Sequence, residues 1–303
     1  MGRRRNGRDV HGVLLLDKPA GLSSNQAVQK IRWLFQARKA GHTGTLDPFA
    51  TGLLPVCLGE ASKTAAFMLD ADKTYQARAR LGIATETGDI EGAVVLENEN
   101  PPLDRDSIDS AMEAFRGTIE QVPPMYSALK HEGKPLYKLA REGKEVARAP
   151  RSITIHRLEV LSWHAPDLEF RVRCSKGTYV RTLAEDLAAS LGTCAHLREL
   201  RRTASGCFDS GMVSLETVVA TVEQGKGDDL LLPPDAGLTD WPRIDLVAPA
   251  AIRFSHGNPV DAGTADPGMI RVYGPENHLL GLGEVTGQAL KPRRVMNLQP
   301  ANN

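Results

Sequence analysis

The chain has 303 residues, of which 41% are hydrophobic and 24% are charged. This composition is that of an ordinary globular protein with one large domain and a smaller one, or two of ordinary size, and it excludes wholesale disorder. Lys and Arg together number 37, as do Asp and Glu, so a role in nucleic-acid binding must rest on where the positive charges lie.

The cysteines predict neither a metal site nor a disulfide framework. Cys57, Cys174, Cys194 and Cys207 are widely spaced, with no Cys-x-x-Cys pair and no His at metal-ligand spacing. We expect buried thiols in a reducing compartment. The apolar run at 13–16 is too short for a signal sequence or a membrane span, so we expect a cytoplasmic protein without membrane contact.

The first elements along the chain are a strand at 9–17 and a helix capped by Ser23 or Ser24. Helical spacing puts the apolar side chains of this helix on one face, namely Val28, Ile31, Leu34 and Phe35.

Residues 41–55, GHTGTLDPFATGLLP, surround one carboxylate, Asp47, with glycines and small hydroxyl side chains. Pro48 restricts Asp47 to an extended conformation, and the glycines permit close backbone approach, so the carboxylate is presented from a defined turn. The apolar run at 53–58 predicts a buried strand that anchors this turn to a core. Rigidly held loops of this kind are where catalytic groups tend to lie.

Further elements follow in the middle of the chain. We predict a helix at 62–69 and a strand at 74–81 that carries Tyr75. A second helix begins at a cap, Asp104 or Asp106, and ends at Gly117, and its inward-facing residues are Ile108, Met112 and Phe115. Two strands follow at 152–163 and 168–175.

A strand-turn-helix pattern comes next, with Lys176-Gly177-Thr178 as the turn and a helix from about Tyr179 to 191, stopped by Gly192. It places Tyr179 and Arg181 at a helix start, where free backbone N–H groups favour a phosphate or a carboxylate. A nearby guanidinium such as Arg181 would favour the ionised form of Asp47. Asp47 and Arg181 both lie at junctions between a strand and a turn, and from this placement we hypothesise that they meet.

The C-terminal part begins with a Pro- and Gly-rich stretch at 233–242 that indicates a linker. Short strand-like runs at 270–273, 279–282 and 295–298 then predict a small β-barrel.

The positive charges cluster along the chain, which predicts a localised positive face. The clusters are Arg3, Arg4, Arg5 and Arg8; Lys30, Arg32, Arg38 and Lys39; Lys130, Lys134, Lys138, Arg141, Lys144, Arg148 and Arg151; and Arg171, Arg173, Lys176, Arg181, Arg198, Arg201 and Arg202.

Six segments in a fixed order form a pattern shared with one enzyme family. They are LLLDKPAGLSSN at 14–25, AGHTGTLDPFATGLLP at 40–55, KTYQARARLG at 73–82, QVPPMYSALKHEGKPLYKLAREG at 121–143, SKGTYVRTLAEDL at 175–187 and LRELRRTASG at 197–206. Together they resemble the TruB family of tRNA pseudouridine synthases, of the bacterial type. The tail, with RVYGPENHLLGLGEV and LKPRRVM, is similar to the PUA RNA-binding domain attached in that family.

This resemblance implies an α+β fold with a mixed, largely antiparallel sheet flanked by helices, followed by a small C-terminal β-barrel of PUA type. The catalytic domain would span 1–240, with an RNA-binding insertion at about 121–151, and the PUA-like domain would span 241–303.

The resemblance also implies an isomerase that converts uridine 55 in the tRNA T loop to pseudouridine, with no cofactor and no metal. Asp47 would be the catalytic aspartate, Arg181 would pair with it, and Tyr75 would stack on the target base and help to remove the C5 proton. His42 would occupy the place of the base that is flipped out. Tyr179 and Leu200 would line the uridine pocket.

Several alternatives stay open at the level of sequence. Asp47 could attack C6 of the uracil, attack C1′ or promote a glycal route. The chain could act mainly as a tRNA-folding chaperone, or as a guide-RNA-dependent relative that needs partner proteins. We expect the T-stem loop of tRNA as partner, no required protein partner, and a monomer.

Overall fold

The computed structural model describes residues 7–99 and 102–298. The predicted basic residues Arg3, Arg4 and Arg5 lie outside the described residues. The described strands are β1 Gly12–Lys18, β2 Ala40–His42, β3 Thr51–Leu58, β4 Lys73–Leu81, β5 Ile83–Thr85, β6 Val94–Glu97, β7 Gly117–Gln121, β8 Lys130–His131, β9 Lys134–Pro135, β10 Arg151–His164, β11 Asp167–Cys174, β12 Ala195–Ser205, β13 Val213–Ser214, β14 Arg243–Asp245, β15 Val260–Asp261, β16 Gly268–Tyr273, β17 Leu279–Thr286 and β18 Ala289–Val295.

Helices connect and flank these strands. They are α1 Ser24–Leu34, α2 Ala65–Leu69, α3 Arg105–Glu113, α4 Leu136–Arg141, α5 Val180–Ser190, α6 Leu215–Glu223 and α7 Ala248–Ser255, with 3-10 turns at Gly59–Lys63, Gly227–Leu230, Ala236–Leu238 and Pro275–Asn277.

The main sheet has nine strands in the order β13-β1-β3-β12-β4-β11-β10-β7, with β2 paired to β3. The pairs β1–β13 and β3–β12 are parallel and the others are antiparallel. The predicted mixed, largely antiparallel sheet is confirmed. Strand β4 lies inside it, so that Tyr75 is paired with Val172 on one side and Arg202 on the other.

Side-chain patterning explains how the helices cover this sheet. Ser23 caps α1 in a capping box with Gln26, and Ala27, Val28 and Ile31 are buried against the core. In α5, the buried residues Leu183, Ala184 and Leu187 pack into the same core cluster.

The C-terminal residues form a five-stranded sheet in the order β14-β16-β17-β18-β15. Phe254 of α7 is fully buried among the side chains of one core cluster, whereas Tyr273 and Leu282 belong to a second cluster shared with Val13 and Leu53 of the main sheet. Within the described ranges β14 and β15 are not paired with each other, so this sheet is a half-barrel, which is compatible with the predicted small β-barrel.

Some predicted element boundaries were wrong. Helix α3 ends at Glu113, four residues before Gly117, which begins β7. The last strand is Ala289–Val295, and 296–298 follow it without regular structure. The predicted linker at 233–242 is packed, because Asp235 and Leu238 are buried.

The prediction of buried cysteines holds only in part. Cys57 and Cys174 are buried, Cys194 is half-buried and Cys207 is exposed, and all four are free thiols. Burial raises the pKa of Cys57 to about 12.

Candidate active site

The turn that carries Asp47 is tethered on both sides of the carboxylate. On one side, the buried Ser24 hydroxyl donates to the carbonyl of Leu46 at 2.9 Å and accepts from its N–H at 2.7 Å. On the other side, the Pro48 carbonyl accepts from Lys18 Nζ at 3.2 Å and from the Gly21 N–H at 2.9 Å. The position of the Asp47 backbone is therefore fixed by α1, β1 and the turn between them.

Gly52 allows the strand after this turn to approach β12 closely. Its φ is +98°, and a Cβ at this position would clash with the backbone of Arg202. Only glycine meets both conditions without strain. The Gly-rich composition of the 41–55 segment thus serves backbone packing as well as presentation of the carboxylate.

Asp47 and Arg181 form the predicted contact. Arg181 Nε donates to Asp47 Oδ2 at 2.9 Å, while the two other guanidinium nitrogens donate to the carbonyl of Thr87 at 2.5 Å and to the carbonyl of Tyr126 at 2.9 Å. The Arg181 side chain is 4% exposed and that of Asp47 is 33% exposed. A buried, fully engaged guanidinium thus holds a carboxylate that still reaches the surface of the cavity.

A second carboxylate, Asp89, faces the same guanidinium. Its Oδ2 lies 3.6 Å from Arg181 Nε, and its other oxygen accepts from the Thr87 hydroxyl at 2.5 Å and from the Glu91 N–H at 3.0 Å. Burial raises the pKa of Asp47 above the usual value, the positive charge of Arg181 opposes this shift, and the negative charge of Asp89 adds to it.

A cavity of about 340 Å³ opens beside Asp47. Four of the predicted site residues line it together with Asp47, namely Tyr75, Tyr179, Arg181 and Leu200. Its wall also contains the turn at 175–178, which joins β11 to α5. The strand-turn-helix pattern therefore contributes to the site that contains Asp47.

The aromatic residues of the cavity are held by the sheet and by the start of α5. Tyr75 is 9% exposed, and burial raises its pKa while the positive charge of Arg202 opposes the shift. Tyr179 precedes α5, and the buried Gln121 side chain bonds its backbone twice, accepting from the N–H at 2.8 Å and donating to the carbonyl at 3.1 Å. Burial also raises the pKa of Tyr179.

The structure does not bring His42 into the wall of the cavity. His42 ends β2, and its Nδ1 accepts from the N–H of Gly44, a cavity residue, at 3.2 Å. Burial and the positive charge of Arg202 lower the pKa of His42 below the usual 6.5, so the imidazole is neutral at pH 7. His42 thus lies next to the rim of the cavity.

Three buried basic residues near Asp47 were not singled out from the sequence. Lys18 is fully buried and Arg202 is 1% exposed, with Arg202 Nε donating to the Leu53 carbonyl at 2.7 Å. Lys73 is 6% exposed and lines the cavity. Burial lowers the pKa of Lys18 and of Lys73 to about 8. Charged residues are almost never buried without a specific reason, so these three mark the site.

Asp89 and Glu185 were also missed. Glu185 lies one helical turn after Arg181, and burial raises its pKa to about 7. The sequence from Glu86 onward is rich in acidic residues, which is typical of an exposed segment, and their spacing does not indicate which of them is buried. A signal was available for Lys73, because strand periodicity places it on the same face of β4 as Tyr75.

Chemically, the site combines a carboxylate, a guanidinium and apolar or aromatic walls. The cavity offers a space of the size of a pyrimidine nucleoside beside the carboxylate, and the guanidinium favours the ionised carboxylate. No group of three or more His, Cys, Asp or Glu side chains with metal-ligand geometry occurs in 7–99 or 102–298.

Comparison with known sequences places the chain in a family. The model of the TruB family pseudouridylate synthase N-terminal domain matches residues 32–180, and that of the tRNA pseudouridylate synthase B C-terminal domain matches residues 181–239. A protein of Chromohalobacter salexigens named tRNA pseudouridine synthase B is 50% identical over 302 residues, which cover 98% of each chain. The chain belongs to the TruB family.

Two further comparisons agree with this assignment. A tRNA pseudouridine synthase B of Pseudomonas aeruginosa is 50% identical over 299 residues, covering 97% of this chain and 98% of the relative. A third family model, for the C-terminal region of pseudouridine synthase II TruB, matches residues 242–296. The TruB resemblance that the sequence motifs carried is confirmed.

Solved structures show the same fold. A chain of a Cbf5-Nop10-Gar1 complex matches with a TM-score of 0.73 and 28% identity, covering 94% of this chain and 84% of that one. A chain of an archaeal box H/ACA Nop10-Cbf5 complex matches with a TM-score of 0.72 and 24% identity, covering 97% and 92%. The main sheet and helices are therefore those of a pseudouridine synthase fold.

Among the helices of the described chain, none is long and apolar enough to cross a membrane.

Proposed function

We infer that this protein converts uridine 55 in the T loop of tRNA to pseudouridine. TruB relatives that are 50% identical over nearly the whole chain are named tRNA pseudouridine synthase B. The single structural observation that carries the inference is the Asp47–Arg181 pair at a cavity of nucleoside size. The enzyme is thus an isomerase.

We propose Asp47 as the catalytic carboxylate. The glycosidic bond between N1 and C1′ breaks, the uracil turns, and a bond forms between C5 and C1′. The proton on C5 is lost and N1 gains one, so that the atoms balance within the nucleotide and no co-reactant is consumed. Arg181 keeps Asp47 ionised and oriented, which its three buried hydrogen bonds support.

The other proposed roles follow from where the side chains lie. Tyr75 stacks on the target base and assists removal of the C5 proton, and Tyr179 and Leu200 line the uridine pocket. A base can reach such a pocket only after it is flipped out of its stack, at a cost of a few kcal/mol. His42, at the rim, takes the place that the base has left.

The RNA-binding parts are proposals as well. We assign 1–240 to the catalytic domain, 121–151 to an RNA-binding insertion within it, and 241–303 to a PUA-like RNA-binding domain. The five-stranded C-terminal sheet is compatible with that assignment. We further propose a monomer that needs no protein partner and that acts on tRNA in the cytoplasm.

The decisive experiment compares wild-type protein with Asp47→Asn on an unmodified tRNA transcript, with pseudouridine detected by mass spectrometry. We expect pseudouridine at position 55 with wild type and none with the variant, while tRNA affinity is unchanged. The melting temperature at pH 7 should be no lower, because burial disfavours the ionised form that the substitution removes. Full activity of the variant would remove Asp47 from the mechanism.

The same pair of proteins tests the alternatives. A chaperone whose isomerase site is dispensable predicts equal acceleration of tRNA refolding by wild type and by Asp47→Asn, and a chaperone role can coexist with catalysis. A guide-RNA-dependent enzyme predicts no activity of the purified protein on bare transcript. The relatives that are 50% identical over nearly the whole chain are named tRNA pseudouridine synthase B, which supports the interpretation as a tRNA-modifying enzyme.

A further inference from the structure

Helix α2 lies between the cavity and the C-terminal region, by which we mean residues 233–298. Phe67 of α2 meets Trp241 edge to face, with ring centroids 5.1 Å apart and planes at 71°. The buried Met68 packs so closely on Gly237 that a Cβ at Gly237 would clash with its sulfur. The Thr64 hydroxyl, at the start of α2, donates to the Pro234 carbonyl at 2.9 Å. The whole length of α2 therefore rests on 234–241.

The 3-10 turn before α2 is attached to the end of the C-terminal sheet. Lys63 Nζ donates to the Val295 carbonyl at 2.7 Å, and Glu60 Oε2 accepts from the Asn297 N–H at 2.8 Å. The Glu60–Lys63 ion pair joins these two contacts at 2.5 Å. The segment from Gly59 to Leu69 is thus held from two separate parts of the C-terminal region.

The other end of α2 holds a charged group of the cavity. The carbonyls of Leu69 and Ala71 each accept from Lys73 Nζ at 2.6 Å. Leu69 and Lys73 both line the cavity that contains Asp47 and Tyr75. No other hydrogen-bond acceptor contacts the Lys73 ammonium in the part of the chain that the structure describes, so the end of α2 determines where this charge sits.

The position of Lys73 matters because Arg202 is close to it. Gly44, three residues before Asp47, lies between them: a Cβ at Gly44 would be 3.4 Å from an Arg202 guanidinium nitrogen and 3.7 Å from Lys73 Cε. Two buried cations therefore stand beside the Asp47 turn. Because Lys73 and Arg202 are buried and water screens them little, a displacement of either charge changes the field at the reacting groups more than it would in solution.

We propose that the C-terminal region, by seating Trp241 on Phe67, positions Lys73 through helix α2 and so sets the rate of the isomerisation itself, in addition to any contact with RNA. Phe67 and Trp241 are positioning residues in this arrangement, and they act through Lys73. The proposal rests on the isomerase function inferred above.

The test uses the full chain in single-turnover reactions with enzyme in excess over unmodified tRNA. Trp241→Ala should slow pseudouridine formation about tenfold, because a small displacement of a charged group in a catalytic site costs this much or more, while the Kd for tRNA changes less than about twofold. Trp241→Phe, which keeps an aromatic ring on Phe67, should retain most of the rate. The matched control is Trp33→Ala on α1, where the side chain is 75% exposed, and it should behave as wild type.

A double substitution tests the route through Lys73. Lys73→Met should slow the reaction on its own, and adding Trp241→Ala to it should have no further effect. A double variant that is slower than Lys73→Met by the full factor seen for Trp241→Ala alone would overturn the proposal. An unchanged rate in Trp241→Ala, or an effect of that substitution on tRNA affinity alone, would also overturn it.

Two further measurements keep the outcomes distinct. Thermal unfolding identifies a variant that does not fold. Phe67→Leu then tests the same contact from the α2 side: we expect a slower rate, and an unchanged rate would count against the proposal. Absence of pseudouridine with wild-type protein would reject the inferred function, whereas an active wild type with a fully active, folded Trp241→Ala would reject only the positioning role.

Discussion

Two carboxylates share the Arg181 guanidinium, and they have different surroundings. Asp89 is buried and bonded by a hydroxyl and a backbone N–H, whereas Asp47 reaches the cavity. The pKa of Asp47 is raised by its own burial and by the negative charge of Asp89, against the effect of Arg181. Asp89 thus forms a second ion pair with Arg181 and at the same time makes the ionised form of Asp47 less favourable.

Asp89→Asn should therefore alter both the rate and its pH dependence. Because ionised Asp47 is the proposed reacting form, the wild-type rate falls as the pH drops through the raised pKa of Asp47. Removing the Asp89 charge lowers that pKa, so the acid limb should move to lower pH. The rate at pH 7 should fall about tenfold because Arg181 is held less firmly. Single-turnover rates from pH 4 to 8, in steps of about half a unit, measure both effects.

The control for this experiment is Asp186→Asn, an exposed carboxylate on α5. It should leave the acid limb where it is in wild type. An acid limb that moves upward in Asp89→Asn would contradict the assignment of Asp47 as the titrating group.

The sequence predicted the residues that line the cavity better than those that hold them. Asp47, Tyr75, Tyr179, Arg181 and Leu200 lie in motifs of the family pattern, and all five meet at the cavity. The burial of Lys18 and Arg202 could not be predicted, because a lysine or an arginine in a strand is exposed in most proteins. Lys18 donates to two carbonyls of the adjoining turn and to the distant Pro48 carbonyl, and Arg202 donates to the distant Leu53 carbonyl.

At the scale of elements, α1 links helix capping to the site. Ser23 and Ser24 were both candidate caps, and the structure assigns them different tasks: Ser23 caps α1, and Ser24 bonds both backbone groups of Leu46. The Ser23 hydroxyl therefore stabilises the helix, whereas the adjacent Ser24 hydroxyl fixes the geometry of the Asp47 turn.

Ser24→Ala should destabilise the protein and slow catalysis, whereas Ser23→Ala should only destabilise it. The first substitution leaves a buried N–H and carbonyl of Leu46 without a partner, at a cost of about 1–3 kcal/mol. The second removes a cap and costs about 1 kcal/mol. Urea unfolding gives the stabilities, and single-turnover rates under native conditions give the catalytic effect. Equal rates in both variants would show that the Leu46 tether does not position Asp47.

Strands were predicted correctly where apolar and polar residues alternate clearly, and they were missed where charged residues interrupt this alternation. β4 and the pair β10–β11 were found within one or two residues of their bounds, because apolar and polar side chains alternate there. β18 was missed at 289–294 because Lys291, Pro292, Arg293 and Arg294 resemble a loop. The packing of 233–242 on α2 is a tertiary contact that the Pro- and Gly-rich composition does not reveal.

On the scale of the whole molecule, a net charge of zero is compatible with RNA binding because many arginines are neutralised by partners while others are not. Arg157 is paired with Glu159 on β10 at 2.7 Å. Arg151, at the start of the same strand, is exposed and close enough to Tyr179 to influence its pKa. Arg151 also pairs with Gln121 of β7, whose side chain bonds the backbone of the cavity residue Tyr179, and we expect this exposed guanidinium to contact an RNA phosphate.

Arg151→Gln should weaken tRNA binding uniformly and reduce its salt dependence. Loss of one phosphate contact lowers the slope of log K against log salt by about 0.9. Arg157→Gln, on the same strand but already paired, should change neither value. Filter binding at several salt concentrations measures the slopes, and identical slopes for both variants would remove Arg151 from the RNA-binding face.

The position of β4 inside the main sheet distinguishes changes at the base of the pocket from changes at the surface of the enzyme. Its backbone is bonded along its length to β11 and β12, so the Tyr75 amide is expected to exchange only when these pairings open. The segment between β7 and β10 is tied to α5 at Gln121, where it departs from the sheet. Beyond this tie the segment still contacts the site, because the Tyr126 carbonyl accepts from Arg181 and residues 127–129 line the cavity. Substitutions in the hairpin at 130–135, which does not line the cavity, can change the surface while the base of the pocket keeps its structure. The surface of the enzyme and the base of its pocket can thus change independently.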